Sequence, residues 1–160
     1  MRKINTLQKV SVVSIQLVKE KSLSYGSKRI DCPEDAAIIA GDFLAGADRE
    51  HFVVLCLDTK SNVNALNTVS VGTLNSSLVH PREVFKAAIL ANSNSIILCH
   101  NHPSGDPTPS REDLDVTKRL VKAGNILGIE VIDHVVIGDN GKYVSLKERG
   151  MMVAFDRECG

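Results

Sequence analysis

The sequence contains no tryptophan, few other aromatic residues and no long hydrophobic run. Aromatic residues make up 4% of the chain. Its longest apolar runs, at 36–40 and 52–57, are far shorter than the roughly 20 residues that a membrane-spanning helix needs. No continuous apolar stretch follows Met1, Arg2 and Lys3, which disfavours a secretory signal peptide. We therefore expect a cytoplasmic protein without a transmembrane helix.

The chain also lacks net charge and paired cysteines. Its 19 basic and 19 acidic residues cancel, so charge does not predict non-specific binding to a phosphate backbone. The cysteines show no C-x-x-C spacing, which favours reduced thiols over a metal or disulfide framework. These cysteines are Cys32, Cys56, Cys99 and Cys159. At 160 residues the fold can rest on a hydrophobic core, so a bound metal would serve chemistry more than folding.

Short runs rich in Val and Ile alternate with longer segments of helical spacing, which predicts one mixed α/β domain. We expect this domain to cover residues 1–150 and a loosely attached tail to cover 151–160. The strand at 95–102 is apolar on both faces and should therefore lie in the centre of the sheet. The other predicted strands cover 10–19, 51–58, 62–71, 130–138 and 142–146, and the predicted helices cover 33–44, 81–91 and 111–127.

Three potential metal ligands follow this central strand. His100 and His102 stand at its end, and because side chains of a strand alternate between its faces, both imidazoles should face one site. Asp113 follows eleven residues after His102, in the first turn of the next helix. Two histidines and one carboxylate leave a fourth position open, which is typical of catalytic zinc, whereas structural zinc prefers four Cys or His ligands. The sequence thus predicts one zinc ion per chain.

Simpler interpretations of the same residues stay open. Ser110 and Asp113 have the spacing of a helix capping box, which would explain both without a metal. A histidine at a strand end is also more often an ordinary polar residue than a ligand. His134 lies in an apolar strand and is better explained as a buried, hydrogen-bonded residue. Asn101 points away from its histidine neighbours and is a candidate to orient them or to bond within the core.

The run H-x-H-x7-S-x2-D from His100 to Asp113 resembles the zinc-binding motif of the JAMM, or MPN+, metalloproteases. The wider segment 100–107, with the Asp-His pair at 133–134, resembles the RadC branch of that superfamily. The resemblance covers residues from about 33 to 146. It implies a three-layer fold, in which helices flank a mixed sheet, related to that of the cytidine deaminases. It also implies that both histidines and Asp113 bind zinc.

The resemblance further implies a zinc-dependent hydrolase that acts on an amide or isopeptide bond of a protein or peptide. Ser110 would stabilise the oxyanion of the tetrahedral intermediate. The family also needs an upstream glutamate as general base, and Glu50, just before the strand at 51–58, occupies that place. Glu83 is the competing choice, but an acid in the first turn of a helix is explained more simply by the helix dipole.

A second function remains open, that of a non-catalytic scaffold or DNA repair-associated protein that keeps the zinc site. Many RadC-like proteins carry an N-terminal helix-hairpin-helix module, and the residues before the first predicted helix do not read as one. This difference disfavours direct DNA binding. The presence of all five chemical positions favours an enzyme. Edge strands near the N-terminus could pair between subunits to form a homodimer.

Overall fold

Five strands form one mixed sheet in the computed structural model, which describes residues 8–72 and 79–156. The strand order is β2-β1-β3-β4-β5. Strand β1 runs antiparallel to both β2 and β3, β3 runs parallel to β4, and β5 pairs antiparallel with β4. In chain order the elements are α1 (Pro33–Leu44), β1 (His51–Leu57), β2 (Val63–Val71), α2 (Pro81–Leu90), β3 (Ser95–Asn101), α3 (Arg111–Leu127), β4 (Glu130–Ile137), β5 (Tyr143–Ser145) and α4 (Val153–Asp156).

Helices cover both faces of this sheet, which confirms the predicted three-layer α/β fold. Because side chains alternate along a strand, Phe52 and Leu98 belong to a core shared with α2 and α3, whereas Leu55 and Ile97 belong to a core shared with α1. All seven residues of β3 are buried, and β3 is the middle strand of five. The prediction of a central strand from its two apolar faces is therefore confirmed.

Local sequence signals set the helix boundaries. Helix α1 begins with Pro33, whose missing N–H costs nothing in the first turn, and the Asp35 carboxylate accepts hydrogen bonds from the Asp31 and Cys32 backbone N–H groups at 2.8 and 3.0 Å. Helix α3 ends at Gly128, which adopts a left-handed φ of 70° that costs glycine little. Both helices have the predicted bounds.

The predicted strand at 10–19 is wrong. These residues form no strand in the described part of the chain, and Val10, Val12 and Ile15 are 91%, 100% and 74% exposed. An alternating apolar pattern marks a segment that fits a sheet, but a strand forms only against the edge of a partner. None of the described strands pairs with this segment. The homodimer expected from it stays a prediction.

The C-terminal segment is bound more firmly than predicted. Met152, just before the short helix α4, and Phe155 within it are 9% and 8% exposed and belong to the core that includes residues of α3. Residues 157–160, including Cys159, lie outside the described residues. The other three cysteines are free thiols, as predicted.

Among the described residues, no helix combines the length and the hydropathy of a membrane span.

Candidate metal centre

The end of β3 and the first turn of α3 bring the three predicted ligands together. One ligand atom from each of His100, His102 and Asp113 lies within 4.8 Å of the others, and such a group could hold a metal ion. The two Nε2 atoms are 2.9 Å apart. They lie 3.3 and 3.4 Å from the two carboxylate oxygens of Asp113. His100 and Asp113 are buried, and His102 is partly exposed, so the group has one open side.

Asp113 serves the helix cap and this group at once. The Ser110 hydroxyl accepts a hydrogen bond from the Asp113 N–H at 3.1 Å, and Asp113 Oδ2 accepts the Ser110 N–H at 2.7 Å. Each carboxylate oxygen has a second lone pair, so the capping bond still lets the carboxylate face both histidines. The capping box is therefore present together with the metal-type group, and the two interpretations are compatible.

A chain of buried hydrogen bonds determines which ring nitrogen of a neutral His100 carries the proton. The Thr117 hydroxyl has one proton and donates it to the Asp113 carbonyl oxygen at 2.6 Å, so it must accept a bond from His134 Nδ1, also at 2.6 Å. The unprotonated Nε2 of a neutral His134 then accepts from His100 Nδ1 at 2.7 Å. A neutral His100 consequently presents an unprotonated Nε2 to the ligand group.

The loop after β3 places the proton of a neutral His102 on Nδ1 as well. His102 Nδ1 lies 2.8 Å from the Asp106 carbonyl oxygen, which can only accept, so this nitrogen is the donor. Two unprotonated Nε2 atoms of neutral imidazoles would then repel each other, and a shared cation removes that repulsion. Ligand atoms about 2.1 Å from one tetrahedral ion stand about 3.4 Å apart. The two distances to the carboxylate match this value and the Nε2–Nε2 distance of 2.9 Å is somewhat shorter, so small adjustments of the side chains would fit a zinc ion.

The charges of the group are strongly coupled. Burial alone would raise the pKa of Asp113. When no metal is bound and the two rings carry a proton on Nε2, they can donate to the Asp113 carboxylate; these hydrogen bonds outweigh the effect of burial and hold the pKa of Asp113 well below its usual range. The hydrogen bond to the Asp113 carboxylate raises the pKa of His102. Burial lowers the pKa of His134 well below its ordinary value, which keeps that ring neutral and able to accept from His100. Asp113 therefore stays a carboxylate across the physiological range.

Glu50 lies just before β1, the strand that pairs with β3 next to the ligand group. The observed β1–β3 pairing begins at Phe52 and His100, two residues after Glu50. The charge of Glu50 contributes, after the larger effect of Asp113, to the raised pKa of His102. Glu83, the competing choice for a base, is a partly exposed residue of α2 paired with Lys86 at 2.8 Å. The charge of Glu50 thus acts on one of the predicted ligands, whereas the Glu83 carboxylate is bonded to Lys86; the assignment of the base to Glu50 stays a prediction.

Two other predicted positions have defined hydrogen bonds. Ser110 is exposed, and because its oxygen accepts the Asp113 N–H, its own proton remains available for donation. Asn101 bonds to the backbone of Arg49 and His51, so its amide supports the segment that carries Glu50.

Sequence reasoning missed the role of three residues next to the group. Thr117 follows Asp113 by four positions, so helical spacing alone placed both on one face of α3. His134 was predicted to be buried and hydrogen-bonded, which is confirmed, but its bond to His100 depends on the parallel β3–β4 pairing. Phe52 stacks on the His100 ring with centroids 6.1 Å apart, which depends on the β1–β3 register.

Replacing Thr117 with valine should weaken zinc binding by about 10–100-fold, the usual effect of removing a partner that orients a metal-binding histidine. Valine keeps the shape of threonine but leaves the buried His134 Nδ1–H without its acceptor, so the orientation of His100 is no longer fixed. A competition titration with a zinc chelator would measure the change. Thr117→Ser retains the hydroxyl and is the control. Equal zinc affinity in both variants would contradict this orienting role.

Close packing of two glycines holds the loop of His102 against the sheet. The Asp139 N–H donates to the Gly105 carbonyl oxygen at 3.0 Å. A Cβ on Gly138 would collide with that same carbonyl oxygen and would lie 2.8 Å from Pro107 Cδ. The loop 103–109 can approach β4 this closely only because residue 138 has no side chain.

Gly138→Ala should therefore destabilise the fold by roughly 1–3 kcal/mol, the usual cost of overpacking, and should also weaken zinc binding. Gly41→Ala is the matched control, because a Cβ there meets only Ile137 Cγ2 at the ordinary contact distance of 3.9 Å in a helix that favours alanine. Chemical denaturation of both variants would measure the difference. Similar stability in the two variants would show that the loop adapts without cost.

The fold and the ligand group together define an α/β domain with a candidate metal centre between its central strand and the following helix. The family model described as RadC-like JAB domain matches residues 30–151, which is more than half of the chain. The chain belongs to the RadC-like JAB domain family. This match confirms the family indicated by the run from His100 to Asp113.

Curated relatives show the same membership. A UPF0758 protein of Desulfitobacterium hafniense (strain DSM 10664 / DCB-2) is 62% identical over 123 residues, which cover 77% of this chain and 54% of the relative. A UPF0758 protein of Caldanaerobacter subterraneus subsp. tengcongensis is 59% identical over 121 residues, 76% of this chain and 52% of the relative. One of Geobacillus thermodenitrificans is 56% identical over 121 residues, with 76% and 53% covered. The chain thus spans about half the length of the curated relatives it matches.

Proposed function

We propose that this domain is a zinc-dependent hydrolase that cleaves an amide or isopeptide bond of a cytoplasmic protein or peptide. The observation that carries the proposal is the convergence of two imidazole nitrogens and one carboxylate, with one side open. Three ligands with a free position are the arrangement of catalytic zinc, whereas a structural site is closed by a fourth protein ligand.

The residues around the ligands fit the steps of such a hydrolysis. A zinc ion bound there would supply Lewis acidity, which polarises a carbonyl and acidifies water to a pKa of roughly 7. Glu50 would accept the proton of the attacking water and transfer it to the leaving amine. As the carbonyl carbon becomes tetrahedral, its oxygen gains negative charge, and the Ser110 hydroxyl would donate a hydrogen bond to that oxygen.

A groove next to His102 offers space for a substrate chain. It has a volume of about 470 Å³ and lies between α1 and the β4–β5 turn, with Ala37, Ile38 and Lys142 among its lining residues. Apolar side chains with a few polar groups are typical of ligand-binding clefts. A groove of this size beside His102 has room for part of a peptide chain.

Zinc-loaded protein incubated with a panel of peptides and of lysine-linked isopeptides tests this function. We expect cleavage of at least one substrate class, its loss after chelation, and its recovery when zinc is restored. His102→Ala, which removes one ligand, should show no cleavage under the same conditions. Absence of any cleavage by folded, zinc-loaded protein would contradict the hydrolase and favour the scaffold or DNA repair-associated role.

A further inference from the structure

Asn101 lies between the two histidines of the metal centre but points to the opposite side of β3. It is 9% exposed. Its Oδ1 accepts the His51 N–H at 2.8 Å, and its Nδ2 donates to the Arg49 carbonyl oxygen at 3.1 Å. These two groups belong to the two peptide bonds that flank Glu50. The Asn101 amide therefore holds the backbone of Glu50 on both sides.

The need for such support arises where β1 and β3 separate. The backbone pairing of the two strands begins at Phe52 and His100, and the His51 N–H, one residue earlier in β1, donates to the Asn101 side chain. On the opposite side of Glu50, the Gly72 N–H donates to the Glu50 carbonyl oxygen at 2.8 Å. The Asn101 side chain thus takes the place of a backbone partner on either side of Glu50.

We propose that Asn101 is a positioning residue, which fixes the Glu50 carboxylate relative to the metal centre. This inference rests on the proposed function, in which Glu50 handles the proton. A general base must lie within hydrogen-bond distance of its proton, and a carboxylate on an unsupported chain segment would sample a wider range of positions. The short segment between α1 and β1 that carries Glu50 is held by the hydrogen bonds of the Asn101 side chain and by the backbone bond from Gly72.

Acetohydroxamate is a suitable probe, because its binding depends on both the zinc ion and a nearby base. Its hydroxyl loses a proton when it binds the metal, and Glu50 would accept that proton. Binding is measured by calorimetry with the zinc-loaded full chain, so the readout needs no knowledge of the natural substrate. The variants are Asn101→Ala, Glu50→Gln and the double variant.

We expect Asn101→Ala to weaken acetohydroxamate binding about tenfold while zinc affinity stays unchanged. In the Glu50→Gln background the same change should have no further effect, because residues that act through one another give non-additive effects. Asn64→Ala is the matched control, since it removes a side-chain amide that donates to the Ala91 carbonyl oxygen at 3.2 Å, away from the site. It should leave binding unchanged.

Equal weakening by Asn101→Ala in both backgrounds, or an equal loss of zinc affinity, would overturn the inference and leave Asn101 with a purely structural role. Full acetohydroxamate affinity in Glu50→Gln would instead contradict the proposed function, and the inference would fail with it. If Asn101→Ala does not fold, Asn101→Asp takes its place in the cycle, because it keeps the acceptor for the His51 N–H and loses only the donor to Arg49.

Discussion

Glu50→Gln is expected to reduce hydrolysis by about 10²–10⁴-fold, the usual contribution of a general base, without loss of zinc. Glutamine has nearly the same shape as glutamate but cannot accept a proton from water. The substitution therefore removes the proton transfer and leaves the two histidines and Asp113 in place. The rate is measured on whichever panel substrate the wild-type protein cleaves, and zinc content is determined on the same samples.

Glu83→Gln is the matched control for this variant. Glu83 is a partly exposed glutamate of α2, and its pKa is lowered chiefly by the hydrogen bond from Lys86, so replacing it should change the rate little. A large loss of activity in Glu83→Gln, together with an active Glu50→Gln, would show that Glu83 and not Glu50 is the general base. Equal activity in both variants would show that hydrolysis does not need a carboxylate base from either position.

Phe52→Ala should destabilise the protein by about 3–5 kcal/mol, the usual cost of removing a large buried ring. Phe52 is fully buried, and its ring stacks on His100 and contacts the edge of His134 with centroids 5.4 Å apart. The cavity would leave both imidazoles without a packing partner on this side. We therefore also expect weaker zinc binding by the fraction that remains folded. Denaturant unfolding of the metal-free protein measures the stability change.

Phe85→Ala separates the two effects. Phe85 is 1% exposed and belongs to the same core, but it lies on α2. Its loss should lower the free energy of unfolding by a comparable amount and leave the zinc affinity of the folded protein unchanged. If both variants bind zinc equally well, the contact of Phe52 with the imidazoles does not support the metal centre.

Much of the fold could be predicted because its signals are local. Each signal lies within a few residues of the feature it defines. Examples are Pro33 and the acidic residues after it at the start of α1, the left-handed Gly128 at the end of α3, and the two apolar faces of β3. The segment at 10–19 shows the limit of such signals. Its alternation describes a strand, but strand formation depends on a partner edge that the segment itself does not encode.

The same distinction applies to the candidate site. The ligands His100 and His102 could be predicted because strand alternation alone places them on one face. The hydrogen bond from His100 to His134 spans 34 positions of sequence and requires the parallel β3–β4 pairing, which no local pattern specifies. The capping box of Ser110 and Asp113 offered an alternative to a metal site. In the structure the Asp113 carboxylate both accepts the Ser110 N–H and faces the two histidines.

Metal analysis of the purified protein tests the central claim most directly. We expect about one zinc per chain in the wild type and a large loss in His102→Ala and in Asp113→Ala, because a three-ligand site cannot lose a ligand and hold zinc well. Asp113→Ala also removes a helix cap, so Asp35→Ala, which removes the capping carboxylate of α1, is the control and should keep its zinc. Zinc-free wild-type protein after incubation with zinc, or zinc retained in Asp113→Ala, would contradict a metal centre at this position.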